Sequence, residues 1–155
     1  MIFDFAALPA AQRYFQMIQT LMPRPIAWVL TEHESGSYNL APFSFFTAVC
    51  AEPPILMLSL GLKTTGEHKD TRVNLERSQH CVIHIPDRNM LDAMNASSAT
   101  LANDISEVEQ LGLALQPFDG FALPRLRDAK VAYGCKLHEI KEMGAGPQSL
   151  LFVQI

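Results

Sequence analysis

The sequence is poor in the residues that usually advertise chemistry. It has three cysteines, Cys50, Cys81 and Cys135, an odd number, widely spaced and without a Cys-x-x-Cys pair. That excludes a disulfide scaffold and a zinc knuckle, and points to reduced thiols in a cytoplasmic protein. Each cysteine falls within a predicted strand, where a thiol serves as a small buried apolar group. The five histidines form no His-x-His pair, and no metal site is expected. His33, His68, His80 and His138 are isolated, and His84 sits among apolar neighbours on one face of a strand. There is no Gly-x-Ser-x-Gly elbow and no P-loop glycine spacing. No Lys/Arg cluster appears in a chain of net charge −4, which argues against a nucleic-acid surface. No apolar run has the length of a membrane span, and the first residues carry Asp4 where a secretory leader would be basic. Repeats and low-complexity tracts are also missing.

What remains is an ordinary globular composition, 48% hydrophobic and 18% charged over 155 residues, enough for one domain with a sizeable core. Leu8–Leu21 reads as a helix, with Pro9 in its first turn and Tyr14, Ile18 and Leu21 on one face. The MPRP that follows ends it. Ile26–Thr31 is a strand, HESGS a turn, and SYNLAPFSFFTAV a single returning strand. EPP breaks the chain again before a third strand, ILMLSLG. Asp70 or Thr71 caps a helix over TRVNLERSQ, HCVIHIP is the fourth strand, and Asp87 opens a helix through DRNMLDAMNAS. A mobile loop is predicted over Ser97–Asp104. A short helix follows, with Ser106 as its cap and Gly112 after its end. Two strands, AKVAYGCKLHEIKEM and SLLFVQI, are joined by GAGPQ, and a slip in alternation before Ile140 marks a bulge. Six strands in antiparallel succession with short helices predict a mainly β, closed or half-closed barrel of residues 1–155, its helix at about 9–21 and its barrel from about 25.

Two stretches invite a functional reading. KTTGEHKDT, Lys63–Thr71, is either a solvated loop before a helix or an anion site where lysines, hydroxyls and a helix start converge. NLAPFSFFTAVCAEPPILMLSLG, Asn39–Gly61, is either a core strand pair or a surface for a flat ligand with one polar edge. Pro42 forbids a ladder hydrogen bond and puts its strand at an edge or bulge. Gly61, after Ser59 and Leu60, permits close approach of a ligand to the backbone. On the residues alone, both readings of both stretches stay open.

Taken in order, MPRPIAWVLT, NLAPFSFFTAV, EPPILMLSLG, KDTRVNL, HCVIHIP and MNASSA resemble the flavin reductase-like family of FMN-binding split barrels, over about Pro23–Leu113. The resemblance implies a six-stranded antiparallel split barrel of Greek-key type with FMN as cofactor. It places the flavin ring along Asn39, Ala41, Pro42, Phe43, Ser44, Phe45, Phe46 and Thr47. Ser59, Leu60 and Gly61 would line the ribityl chain, and Lys69, Asp70 and Thr71, with Lys63, would meet the phosphate. Asn95 would stand on the opposite wall. It further implies a homodimer with FMN near the interface, NAD(P)H as hydride donor, a small-molecule electron acceptor, and a partner monooxygenase supplied with reduced flavin. No nucleic acid or membrane partner is implied. Because the cofactor carries the chemistry, no catalytic acid or base is expected. Family members continue past the strand equivalent to Ser149–Ile155 with a segment that covers the barrel. An FMN-binding module without reductase activity is therefore the alternative expectation, and a barrel with a decayed site is a third.

Overall fold

A computed structural model describes residues 2–102, 104–146 and 148–155. Asn103, within the predicted loop at Ser97–Asp104, and Pro147, within GAGPQ, lie outside the described residues. The chain folds as α1 (Ala10–Thr20), β1 (Ala27–Glu32), β2 (Tyr38–Phe43), β3 (Phe46–Ala51), β4 (Pro54–Leu60), α2 (Asp70–Ser78) and β5 (His80–Ile85). There follow α3 (Leu91–Ala96), α4 (Glu107–Gln110), β6 (Leu115–Gln116), β7 (Arg125–Leu126), β8 (Val131–Met143) and β9 (Gln148–Gln154). Seven strands form one antiparallel sheet in the order β2-β1-β5-β8-β9-β4-β3, and β6 and β7 form a separate ribbon.

The strand count corrects the expected six. SYNLAPFSFFTAV is not one strand: the backbone leaves the ladder at Ser44–Phe45, so β2 and β3 lie at opposite edges of the sheet. At the corner the Ser59 N–H donates to Phe45 O at 2.9 Å, continuing the β3–β4 ladder past the Phe46–Leu58 pair. Pro42 fits this geometry. It pairs with Trp28 as Leu40 pairs with Leu30, and the Leu40 N–H points away from β1, toward the Glu107 carboxylate. A residue of the same parity needs no donor toward β1, so the ring of Pro42 costs no ladder bond.

β1 and β5 read as continuous apolar runs because both of their faces are covered. Ala27, Val29, Cys81 and Ile83 enter the barrel core with Leu58, Leu60, Leu75, Leu151 and Val153. Trp28, Leu30 and Val82 face outward, beneath Met94, Val108, Leu123 and Leu126 from the chain after β5. Gly134 on β8 is needed for this outer layer: a Cβ there would meet the Phe121 ring at 2.8 Å. The expected bulge is present, with the β8–β9 register shifting between Leu137 and Glu139.

Three local expectations change. The helix predicted from Asp87 begins as a 3-10 turn at Arg88–Met90, because the Asp87 side chain accepts from the Asn89 N–H, and it becomes α-helical only at Leu91. Lys69, not Asp70 or Thr71, occupies the N-cap position of α2, and no side chain caps it. Cys50 is not buried. It lies on the exposed edge strand β3, whereas Cys81 and Cys135 are buried and face one another across β5 and β8.

His84 ties the two layers together. Its buried ring approaches Trp28 O at 3.0 Å through Nδ1 and accepts the Leu126 N–H at 3.0 Å through Nε2. Only the neutral imidazole with its proton on Nδ1 makes both bonds. Burial lowers its pKa from 6.5 to about 4, against the Trp28 carbonyl, which raises it, and with the Arg125 charge, which lowers it further. The unfolded chain therefore binds this proton more readily than the folded one. The stability contributed is complete above about pH 6.5 and is lost as pH falls toward 4, amounting to roughly 3 kcal/mol at most. Urea unfolding at pH 7 and pH 4.5 is expected to show a larger acid loss in the wild type than in His84→Gln. Equal losses in the two proteins would exclude His84 as the source.

Candidate functional site

One end of the barrel is plugged by α2, and the plug is held by polar side chains from segments far apart in sequence. The Asn39 Nδ2 donates to Thr31 Oγ1 at 3.2 Å and to Thr71 Oγ1 at 3.0 Å. The Asn74 Nδ2 donates to the same Thr31 Oγ1 at 3.2 Å and to His33 Nδ1 at 3.2 Å. All five residues are buried, so these bonds replace water that is not there. Thr31 is their hub, accepting from both amides. Asn39 and Thr71, which the sequence suggested for direct cofactor contact, are thus engaged with each other, and they fix where the helix begins.

That beginning borders two adjoining cavities. One, of about 80 Å³, lies between β2 and the start of α2 and is lined by Asn39, Ala41, Lys63, Lys69, Asp70 and Thr71 on one side and by Ser97–Leu101 and Glu107 on the other. The second, of about 390 Å³, runs past the β2–β3 corner and is lined by Tyr14, Ser44, Phe45, Ser59, Leu60, Gly61, Leu62 and Gln148. Pro42, Phe43 and Lys69 belong to both, so the two form one cleft. The small end is polar. The large end has an aromatic wall, where the Tyr14 ring lies 6.3 Å from that of Phe45 and the Arg24 guanidinium sits 5.7 Å from the Phe45 centroid.

Charge is distributed unevenly along the cleft. Lys63 is paired with Asp70 at 2.7 Å. Lys69, half-buried where the two cavities meet, makes no ion pair among the described residues. It stands at the N-terminus of α2, whose first N–H groups have no intrahelical acceptor. An anion in the small cavity would meet both. Glu107 closes the far wall. Its carboxylate accepts the Leu40 N–H at 2.9 Å, burial pushes its pKa up, and nearby Asp70 adds to the rise.

Of the residues suggested by sequence, Asn39, Ala41, Pro42, Phe43, Ser44, Phe45, Ser59, Leu60, Gly61, Lys63, Lys69, Asp70 and Thr71 all line this cleft. Phe46 instead packs against the barrel core, and Thr47 is exposed on β3 with its hydroxyl turned to Ala48 O. Asn95 is exposed at the end of α3, and its carbonyl accepts from the Ser98 N–H and hydroxyl. The wall opposite Lys69 is instead the Ser97–Leu101 segment. Tyr14, Gln148 and Glu107 are further residues that sequence reasoning did not reach. Gln148 donates to Ser59 Oγ at 2.9 Å across the sheet. Among the described residues no group of three or more His, Cys, Asp or Glu could hold a metal ion, and no helix is long and apolar enough to cross a membrane.

The flavin reductase like domain matches residues 19–155, which includes the whole barrel and the cleft apart from Tyr14. The chain belongs to that family. Among its relatives, a protein of Halalkalibacterium halodurans is 36% identical over 138 residues, 89% of this chain and 66% of the relative. YwrF of Bacillus subtilis is 35% identical over 136 residues, 88% of this chain and 66% of its own length. The chain thus spans about two thirds of these relatives. Among solved structures, nitrilotriacetate monooxygenase component B from Bacillus cereus superposes with a TM-score of 0.93 at 28% identity, over 100% of this chain and 78% of that one. The 2-nitrobenzoate 2-nitroreductase of Pseudomonas fluorescens gives 0.90 at 28% identity, over 100% and 74%. An FMN-binding protein from Thermus thermophilus, at 18% identity and a TM-score of 0.78 over 100% of this chain and 79% of that one, shares the fold.

Thr31→Val keeps the shape at the hub and removes its acceptor. Two buried amides then lose a partner each, at a cost of about 1–3 kcal/mol. Urea denaturation is expected to register that loss, and an unchanged midpoint would show that the bonds do not hold the plug.

Proposed function

We propose that this protein is a flavoprotein oxidoreductase of the flavin reductase type, binding FMN and accepting hydride on it from NAD(P)H. The observation that carries the reading is the single cleft, aromatic and roomy at the β2–β3 corner and narrow and polar at Lys69. FMN has the same division, a planar ring at one end and a phosphate at the other. The donor set fits it. Lys69 and the start of α2 suit a phosphate. Phe43, Phe45 and Tyr14 suit the ring, and Ser59, Gly61 and Gln148 suit the polyol between. The small volume of the narrow end, about 80 Å³ bounded by Glu107 and Asp70, supports FMN over the bulkier FAD.

The bound flavin would supply the hydride chemistry, so the chain itself needs no catalytic acid or base. Its own residues would hold the phosphate end at Lys69, exclude water with the aromatic wall, and orient the ring at the corner formed by Ser44 and Phe45. Nitrilotriacetate monooxygenase component B supports a role in providing reduced flavin to a partner monooxygenase. The reading includes a homodimer. α1 buries none of its residues in the single chain, and Tyr14, Phe15, Met17 and Leu21 are exposed beside the exposed strand β3. An apolar surface of that kind is ordinarily covered.

Lys69→Ala is expected to weaken FMN binding by about 1–3 kcal/mol while leaving riboflavin, which lacks the phosphate, unaffected. Flavin fluorescence quenching measures both affinities, and an equal loss for the two flavins would move the phosphate elsewhere. NADH or NADPH oxidation with free FMN as acceptor tests the activity. No turnover above the free-flavin background would overturn the reductase and leave an FMN-binding module.

A further inference from the structure

Glu107 stands at the narrow end of the cleft, where the other features suit an anion. It is 7% exposed, lines the cavity of about 80 Å³, and fixes its Oε2 on the Leu40 N–H. Ser106, the cap of α4, donates to Tyr38 O and holds the first turn of that helix against β2. The carboxyl group is thus fixed in place, on the wall of the cavity that Lys69 and the start of α2 also line.

Four charged side chains line this end, Lys63, Lys69, Asp70 and Glu107. Lys63 and Asp70 are paired at 2.7 Å, which leaves Lys69 to balance Glu107. β2 and the Ser97–Leu101 segment add no titratable side chain to the lining. Asp104 is exposed and turned to His33 at 3.7 Å, and Glu109 is exposed. With Glu107 ionised, these four side chains carry no net charge, and a phosphate entering so small a space meets a carboxylate that repels it. With Glu107 neutral, they carry one positive charge. The neutral acid also has an O–H to donate, which the carboxylate lacks. Burial and the Asp70 charge both push the Glu107 pKa up, against the Leu40 N–H and the Lys63 charge, which lower it.

We propose that Glu107 is a phosphate-binding residue that acts as the neutral acid, its Oε2 keeping the Leu40 N–H and its hydroxyl donating to a phosphate oxygen, so that FMN binds with uptake of one proton. The inference rests on the flavin reading, which puts the phosphate at Lys69. The phosphate of free FMN is mostly dianionic above about pH 6, so the proton comes from solvent and returns to it when the flavin leaves. The bound phosphate holds the proton on Glu107 to higher pH than in the empty cleft. The affinity gained is therefore present at low pH and lost as pH rises, by up to about tenfold per unit.

Flavin fluorescence measures FMN and riboflavin affinities from pH 6.5 to 8.5. In the wild type FMN is expected to bind at least about fivefold more weakly at pH 8.5 than at pH 6.5, and riboflavin equally at both. Glu107→Gln keeps an acceptor for Leu40 and a donor for the phosphate but has no proton to lose. Its FMN affinity should be level over this range and exceed that of the wild type at pH 8.5, while its riboflavin affinity shows that the cleft is intact. Should that variant not fold, wild-type protein mixed with FMN in weak buffer containing an indicator dye should take up a proton, and with riboflavin none. A level FMN profile in the wild type, an equal slope for riboflavin, a slope that persists in Glu107→Gln, or no proton uptake would overturn the role of Glu107. No FMN binding at any pH would instead remove the phosphate from this end and overturn the flavin reading with it.

Discussion

The cleft depends on the buried hydroxyl of Thr31. A helix of nine residues with low helix propensity and no side-chain cap does not hold its place by itself. α2 is positioned because Thr71 and Asn74, three residues apart and so on one face, meet Asn39 and Thr31 from the β1–β2 hairpin. Each bond alone is modest, about 1 kcal/mol net. Leaving its donors buried without partners is the larger effect, so the arrangement is satisfied as a whole or not at all. Lys69, immediately before the helix, is aimed into the cleft as a consequence.

The same economy governs the open side of the barrel. β2 is an edge strand, and edges invite other strands. α4 closes this one with two side chains: Ser106 donates to Tyr38 O at 2.6 Å, and Glu107 accepts from the Leu40 N–H. Past Leu40 the edge is left to Pro42, which has no donor to cover. The chain then leaves the ladder at Ser44–Phe45, where the cleft opens. The split thus runs from a sealed stretch to an open one along a single strand. The cleft occupies the open part.

Much of this was legible in the sequence because the signals were local. Strand boundaries followed from Pro and Gly punctuation and the β8 bulge from a broken alternation, whereas the cleft residues were reached through the family's motifs, Pro42, Gly61 and the KDT run by themselves leaving core and ligand surface open. Three things were not legible. The division of Ser37–Val49 into two strands requires a corner whose hydrogen bond comes from Ser59, fourteen residues beyond Phe45. Thr71 and Asn39 carry polar groups that suit a ligand equally well; only the fold shows them bonded to each other. Asn95 was chosen from its motif, yet the helix turns it outward, and its neighbours from Ser97 onward form the wall. In each case the deciding partner is distant in sequence, and periodicity carries no information about it.

β1 shows how tightly scaffold and site are bound together. Successive residues of a strand face opposite sides, and in β1 both sides are committed. Thr31, with Val29 and Ala27, faces the barrel and anchors α2. Trp28, with Leu30, faces the outer layer, bonds Ser97, and receives His84 at its carbonyl. A slip of one residue would send every side chain to the wrong face, removing the acceptor from Asn39 and Asn74 and burying the threonine hydroxyl beneath Met94 and Val108. The six residues of β1 therefore admit one register. That register brings Lys69, on the segment held through Thr31, and the Ser97 segment, held through Trp28, to face each other across the narrow end of the cleft.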